Sequence, residues 1–247
     1  MDKTRPVVTF GGAYSNHLVA AAYACKLMNI PCTGIVRGGR QQVLSHTLED
    51  CINYGMQLQF ISRYNYDLKD TADFINSIEK EMGDCIIIPE GGYHPLGARG
   101  ASLIMNYLKD CTHICCASGT ATTMAGLLLG KKEHQQVIGI PVLKGMSDME
   151  DRIEYLTGKK FNHQHLHIEH GYHFGGYAKK NDTLLGFMNN LHDQFQLPTD
   201  FVYTGKMLYA IFDLISNNYF TKGSEIVCIH TGGLQGNLSL PETALTF

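Results

Sequence analysis

A two-lobed α/β fold built mostly on parallel sheet is predicted by three features of this 247-residue sequence. Short β-branched and aromatic runs alternate with helix-length segments along the whole chain, the pattern of successive βα units. Glycine-rich turns recur where such runs end, and the 26 glycines fall in clusters rather than evenly. Finally, a glycine- and proline-containing stretch at Gly91–Gly100 separates a shorter N-terminal part from a longer one. The division this predicts is residues 1–97 as a smaller α/β lobe and 98–247 as a larger one.

The elements follow in order. Val7–Phe10 is a strand that stops at Gly11-Gly12, and residues 16–28 read as an Ala- and Leu-rich helix. The unit recurs as strand Cys32–Arg37 with helix Gln42–Tyr54, and as strand Gln57–Ser62 with helix Asp67–Met82. Cys85–Pro89 is a strand ending at Glu90-Gly91-Gly92, and a helix runs from Gly97 to about Leu108. Strand His113–Cys116, helix Thr123–Leu129, strand Val137–Val142 and a polar helix over Asp148–Leu156 come next. His163–Glu169 alternates like a strand, helices cover Asp182–Phe195 and Gly205–Asn217, and Glu225–His230 is the last strand. Ligands of such sheets sit beyond the carboxyl ends of the strands, which is where the unusual residues concentrate.

Composition narrows the partners. Hydrophobic residues at 44% and charged residues at 17% are ordinary for a soluble globular chain. A net charge of -3 and a pI near 6.4 give no electrostatic reason to expect nucleic acid or an anionic membrane surface. The start MDKTRPVVTF has no leader pattern, and no apolar run reaches membrane-spanning length. The expectation is a soluble, cytoplasmic protein. Eight cysteines without a CxxC pair read as buried thiols rather than a disulfide or zinc framework.

Four loops carry the candidate chemistry. Gly11-Gly12-Ala13-Tyr14-Ser15-Asn16-His17 joins a strand to a helix, so its backbone N–H groups suit a carboxylate or phosphate, although Ser15 and Asn16 equally suit simple helix caps. Ala117-Ser118-Gly119-Thr120-Ala121-Thr122-Thr123 is a second strand-to-helix turn, small and rich in hydroxyls, able to wrap a phosphate or merely to turn tightly. It is not a Walker loop, and Gly126-Leu127-Leu128-Leu129-Gly130-Lys131 has the wrong spacing for one. Val202-Tyr203-Thr204-Gly205-Lys206 and His230-Thr231-Gly232-Gly233-Leu234-Gln235-Gly236 complete the set. Four such loops at corresponding strand ends predict a pocket. His163, His165 and His167 alternate as some metal-binding strands do, but no acidic ligand cluster accompanies them, and no metal is predicted. No GxSxG elbow surrounds Ser15 or Ser118, which excludes the usual serine-hydrolase reading.

Taken together, TFGGAYSNH at Thr9–His17, PEGGYHPLGARG at Pro89–Gly100, SGTATTMAG at Ser118–Gly126, VYTGKMLYAIFDLI at Val202–Ile215 and HTGGLQG at His230–Gly236 resemble one family. It is the 1-aminocyclopropane-1-carboxylate deaminase and D-cysteine desulfhydrase family of tryptophan-synthase-β-like enzymes that depend on pyridoxal 5'-phosphate (PLP). The resemblance implies the two-lobed fold of that group, PLP as cofactor, a small amino acid as substrate, deamination or elimination as reaction, and a homodimer. It implies that Ser15 contacts the substrate and takes part in proton transfer, with Tyr203 and Tyr177 as further active-site residues. Asn16 would bond the cofactor's ring hydroxyl. Ser118, Gly119, Thr120, Ala121, Thr122 and Thr123 would hold its phosphate, and Thr204 would face the pyridine nitrogen. The deaminases carry glutamate where this chain has Thr204, and a hydroxyl there favours elimination. Ala121 stands where the family's loop usually has glycine.

The family's Schiff-base lysine precedes the GGxxSN loop by a strand and a helix, whereas ten residues precede Gly11 here. Lys3 lies before the strand that delivers Ser15, roughly 20 Å or more from its carboxyl end in an extended chain. Lys206 matches a structural lysine of the family. The expectation is therefore an N-terminally shortened chain without the cofactor lysine, whose larger lobe is incomplete at its N-terminal part. Two rivals stand beside it. One is a catalytically silent relative that binds PLP, a phosphate or an amino acid; the other is a structural α/β partner with no pocket.

Overall fold

The computed structural model describes residues 5–40 and 42–247; Lys3 lies outside them. Two compact units result, one ending at Gly92 and the other running Tyr93–Phe247, where the sequence reading placed the division after residue 97. The boundary falls earlier because the helix that begins at Pro95 packs within the second unit: Gly126 lies so near it that a Cβ would meet Ala101 Cβ at 2.5 Å and Ala98 O at 2.7 Å. Gly130 meets Met105 of the same stretch. The Gly126–Gly130 spacing thus serves close helix packing.

The first unit contains β1 (Val7–Gly11), α1 (Asn16–Met28), β2 (Cys32–Arg37), α2 (His46–Asn53), β3 (Gln57–Ile61), α3 (Arg63–Asp67), α4 (Ala72–Met82) and β4 (Ile86–Ile88). Its four strands pair in the order β3-β2-β1-β4, all parallel. Alternation along β1 splits the core between the two faces. Val7 joins Leu18, Ala22 and Leu48 of α1 and α2 on one side, while Val8 and Phe10 join Tyr66 and Ile78 of α3 and α4 on the other. A strand covered on both faces reads as a continuous apolar run, as Val7–Phe10 does.

The second unit contains α5 (Pro95–Ser102), β5 (His113–Ser118), α6 (Thr122–Gly130), β6 (Gln136–Pro141), α7 (Met149–Thr157), β7 (Leu166–Ile168), α8 (Asp182–Phe195), α9 (Thr204–Ser216) and β8 (Ile226–Cys228). Its sheet order, β7-β6-β5-β8, is again parallel and repeats the first unit's topology. Ile114 and Cys116 face α6 and α7; Cys115 faces α9, with Ile138 and Ile140 of β6.

Several elements differ from expectation for local reasons. Ser45 caps α2, so that helix starts at His46 rather than Gln42. The helix expected over Asp67–Met82 is two, because Leu68 ends α3 and the Thr71 side chain starts α4 by accepting from Phe74 N–H. The His163–Glu169 strand shrinks to Leu166–Ile168. His165 lies beside Lys131 and Glu133, and His167 beside Glu169 and Tyr219. Among the described residues no group of three or more His, Cys, Asp or Glu side chains is placed to hold a metal, and no helix is long and apolar enough to cross a membrane. All eight cysteines are unpaired and seven are buried.

In both sheets the chain leaves a central strand in one direction and later returns to its other side. The switch points fall between β1 and β4 and between β5 and β8. Ligand crevices form at such places, and the loops at Gly11, Glu90, Ser118 and Ile229 all leave from them.

Candidate functional site

In the first unit, the turn after β1 depends on Gly11. A Cβ there would meet Ser15 Oγ and Leu18 Cγ at 2.6 Å each, so only glycine lets α1 begin this close to the strand. Ser15 is the N-cap, its Oγ accepting from Leu18 N–H at 3.3 Å. That bond uses a lone pair and leaves the hydroxyl proton for another acceptor. Asn16 follows as the first residue of the helix, half-buried and already engaged. The Ser45 hydroxyl donates to Ala13 O and ties the loop to the start of α2.

His17 was not among the residues expected to act, yet it ties the start of α1 back to β1 through Thr9. Thr9 Oγ1 donates to Ile88 O at 2.9 Å, so its 2.7 Å contact with His17 Nε2 requires the imidazole to donate. The ring is thereby held as the Nε2–H tautomer. Burial lowers its pKa below the ordinary 6.5, against a smaller upward pull from Glu90. A depressed folded-state pKa means the unfolded chain takes up the proton first, so this contribution to stability is present above about pH 6.5 and lost as pH falls below it. Burial lowers His113 likewise. We therefore expect His17→Asn to flatten, without abolishing, the fall in urea midpoint between pH 7 and pH 5. An unchanged slope would exclude His17 as a buried neutral imidazole.

In the second unit, the Ser118–Thr123 turn leads from β5 into α6. Ala121 is the N-cap at φ +71°, a left-handed conformation that glycine adopts more readily, and no side chain caps the helix. Thr120 and Thr122 hydroxyls lie 3.0 Å apart. Ser118 differs from the rest: it is buried, and its Oγ points at Met149 Sδ, 3.7 Å away. Uncapped helix N–H groups with two or three threonine hydroxyls fit a phosphate dianion, with Ser118 contributing backbone rather than side chain.

Tyr203 stands against this turn. A Cβ on Gly119 would lie 3.4 Å from its hydroxyl and ring edge, and the Tyr177 ring packs edge-on against it with centroids 6.1 Å apart. The structure thus brings Gly119, Tyr203 and Tyr177 together.

The anchor of this cluster is Asp200, 1% exposed, which the motifs did not single out. Its Oδ1 accepts from Val202 N–H at 2.9 Å and Tyr203 N–H at 2.7 Å. Its Oδ2 accepts from Thr204 N–H at 2.9 Å and the Thr204 hydroxyl at 2.6 Å. The only sequence signal was an acidic residue just ahead of a helix start. Thr204 is fully buried, its proton is committed to Asp200, and its Oγ1 also accepts from Asp200 N–H. A bond from Thr204 to a ring nitrogen would require this hydroxyl to leave Asp200.

Two further ties hold the site. The Lys206 ammonium, with no exposure, donates to His173 O at 2.9 Å and Gly176 O at 2.8 Å, clamping the loop that presents Tyr177. Burial lowers its pKa to about 8, opposed by Asp200. Asn237 bridges Phe201 N–H and Thr199 O, and His230 Nε2 donates to Pro198 O, so the loop after β8 braces the Asp200 segment.

Two parallel sheets of identical topology, with an uncapped helix and a hydroxyl-rich turn at the second switch point, place the chain in the α/β class whose strand-end loops suit a phosphate-bearing ligand. Residues 2–232 match the family described as pyridoxal-phosphate dependent enzyme, and the chain belongs to that family. Within it, the chain is similar to a Pyrococcus abyssi protein provisionally named 1-aminocyclopropane-1-carboxylate deaminase. The two are 27% identical over 249 residues, 93% of this chain and 74% of the relative. A D-cysteine desulfhydrase of Klebsiella pneumoniae is 24% identical over 92% of this chain and 76% of its own length. The solved structure of an ACC deaminase homologue superposes with a TM-score of 0.78 at 26% identity, covering 95% of this chain and 75% of that one. A Dictyostelium discoideum serine racemase, at TM-score 0.61 and 16% identity, shares the fold. The family resemblance and fold class read from the motifs are borne out.

Proposed function

We propose that this chain is a PLP-dependent deaminase or lyase acting on a small amino acid, of the kind its relatives' names describe, 1-aminocyclopropane-1-carboxylate or D-cysteine. The observation that carries the reading is the meeting of Tyr203 and Tyr177 with the uncapped, hydroxyl-rich turn at Ser118–Thr123. PLP, when bound, supplies an electron-withdrawing ring that eases loss of a proton or leaving group from the substrate. The backbone of Ser118–Thr123 with Thr120, Thr122 and Thr123 would hold the phosphate, and Asn16 the ring hydroxyl. Ser15 offers a hydroxyl proton beside the N-terminus of α1, where a substrate carboxylate is favoured by the helix dipole. The Tyr203 and Tyr177 phenols are the candidate proton carriers.

The same reading holds that no lysine among residues 5–247 forms the Schiff base. Lys206 is the only buried lysine among the described residues, and it is occupied as a clamp. Protein incubated with stoichiometric PLP, reduced with borohydride and digested should yield no single phosphopyridoxyl-lysine peptide from that range at about one label per chain, only scattered labelling of exposed lysines. Recovery of one would reverse this part.

The activity itself is tested by supplying PLP with D-cysteine or 1-aminocyclopropane-1-carboxylate and measuring 2-oxo acid and ammonia. Turnover that falls about 10²–10⁴-fold in Ser15→Ala supports the proposal. PLP retention without turnover on either substrate would instead assign a catalytically silent, cofactor-binding relative.

A further inference from the structure

We propose that the second unit carries a binding site for a small organic cation of the alkylammonium class, formed by Tyr172, Phe174, Tyr209 and Asp213. These residues, with Gly171, His173 and Gly175, line a cavity of about 310 Å³. The Tyr209 ring lies 5.0 Å from the Phe174 ring in an edge-on contact and 6.2 Å from the Tyr172 ring. Aromatic faces around a cavity attract a cation through the negative face of each ring. Among the described residues, none of the chain's own lysines or arginines stands over any of these three rings.

Asp213 adds a formal charge. Its Oδ2 accepts from the Tyr172 hydroxyl at 2.6 Å and from Asn217 Nδ2 at 3.2 Å. Burial and Asp213 together raise the Tyr172 phenol pKa, so the proton stays on tyrosine and the charge on the carboxylate. No lysine, arginine or histidine of the described residues pairs with Asp213. An anion without a counter-ion, lining one cavity with three aromatic rings, is the complement of an ammonium group.

The wall is also held in a costly conformation. Phe174 has φ +51°, followed by Gly175 at +94° and Gly176 at +122°, and a bulky side chain in the left-handed region persists only where its surroundings enforce it. Lys206 supplies that enforcement through His173 O and Gly176 O.

Choline and its uncharged isostere 3,3-dimethylbutan-1-ol separate charge recognition from apolar filling. Calorimetric titration of the full chain should show saturable choline binding at least about tenfold tighter than the isostere, equivalent to about 1.4 kcal/mol. Asp213→Asn keeps the shape and should remove about tenfold of the choline affinity. Tyr209→Leu, checked for folding by its melting transition, should remove as much. Equal binding of both probes would overturn the proposal, as would no binding, or choline binding that neither substitution changes.

Discussion

Replacing Asp200 with alanine is expected to lower stability by about 4–5 kcal/mol, a large part of the total for an ordinary domain. The carboxylate satisfies three backbone N–H groups and the Thr204 hydroxyl at the start of α9. It is also the charged group that opposes the desolvation of Lys206. Removal strands each buried donor, at about 1–3 kcal/mol apiece before relaxation, and leaves a buried ammonium without its counter-charge. Because these groups act as one network, the losses will not simply add. Asp200→Asn should cost roughly half as much, since the amide oxygen still accepts from some donors. Urea denaturation of both variants measures this, and a loss under about 1 kcal/mol in Asp200→Ala would show that the network does not hold the helix start.

Lys206→Met should cost about 2–4 kcal/mol, by leaving His173 O and Gly176 O without their donor and Asp200 without its facing charge. Its pH dependence gives a sharper signature. The folded pKa, about 8, lies below the ordinary 10.5, so between these values the unfolded chain holds the proton more tightly. Stability from this group therefore rises with pH across that window. The buried thiols act oppositely: burial pushes Cys51 and Cys116 up to about 12 from 9, so their contribution is lost above about pH 9. The expected result is that Lys206→Met loses stability more steeply than the parent between pH 8 and 10.5. Parallel profiles would mean that Lys206 is not the group held at low pKa.

Much of the fold was legible because it rests on local rules. Val7–Phe10 is buried on both faces and reads as unbroken β-branched and aromatic text, while Asn181 and Ser15 mark helix starts by their own side chains. The starts of α2 and α4 were misplaced although Ser45 and Thr71 cap them in the same way, accepting from Leu48 N–H and Phe74 N–H. The turns themselves were legible too, since Gly11 and Ser118–Thr123 must be small for backbone to approach closely.

By itself, then, the sequence determined the parallel α/β architecture and the positions of the strand-end loops, which follow from residue types at short spacing, and its motifs carried the resemblance to the family. Only the tertiary structure decided what those side chains do. It turned Ser118 toward Met149, committed Thr204 to Asp200, made Lys206 a clamp on the Tyr177 loop, and set His17 against Thr9. Of these, the ties from Lys206 to His173 and Gly176 join residues 33 and 30 positions apart, a separation that no local pattern encodes. The Asp200–Thr204 bond spans four, and its strength comes from burial, which residue identity alone does not reveal.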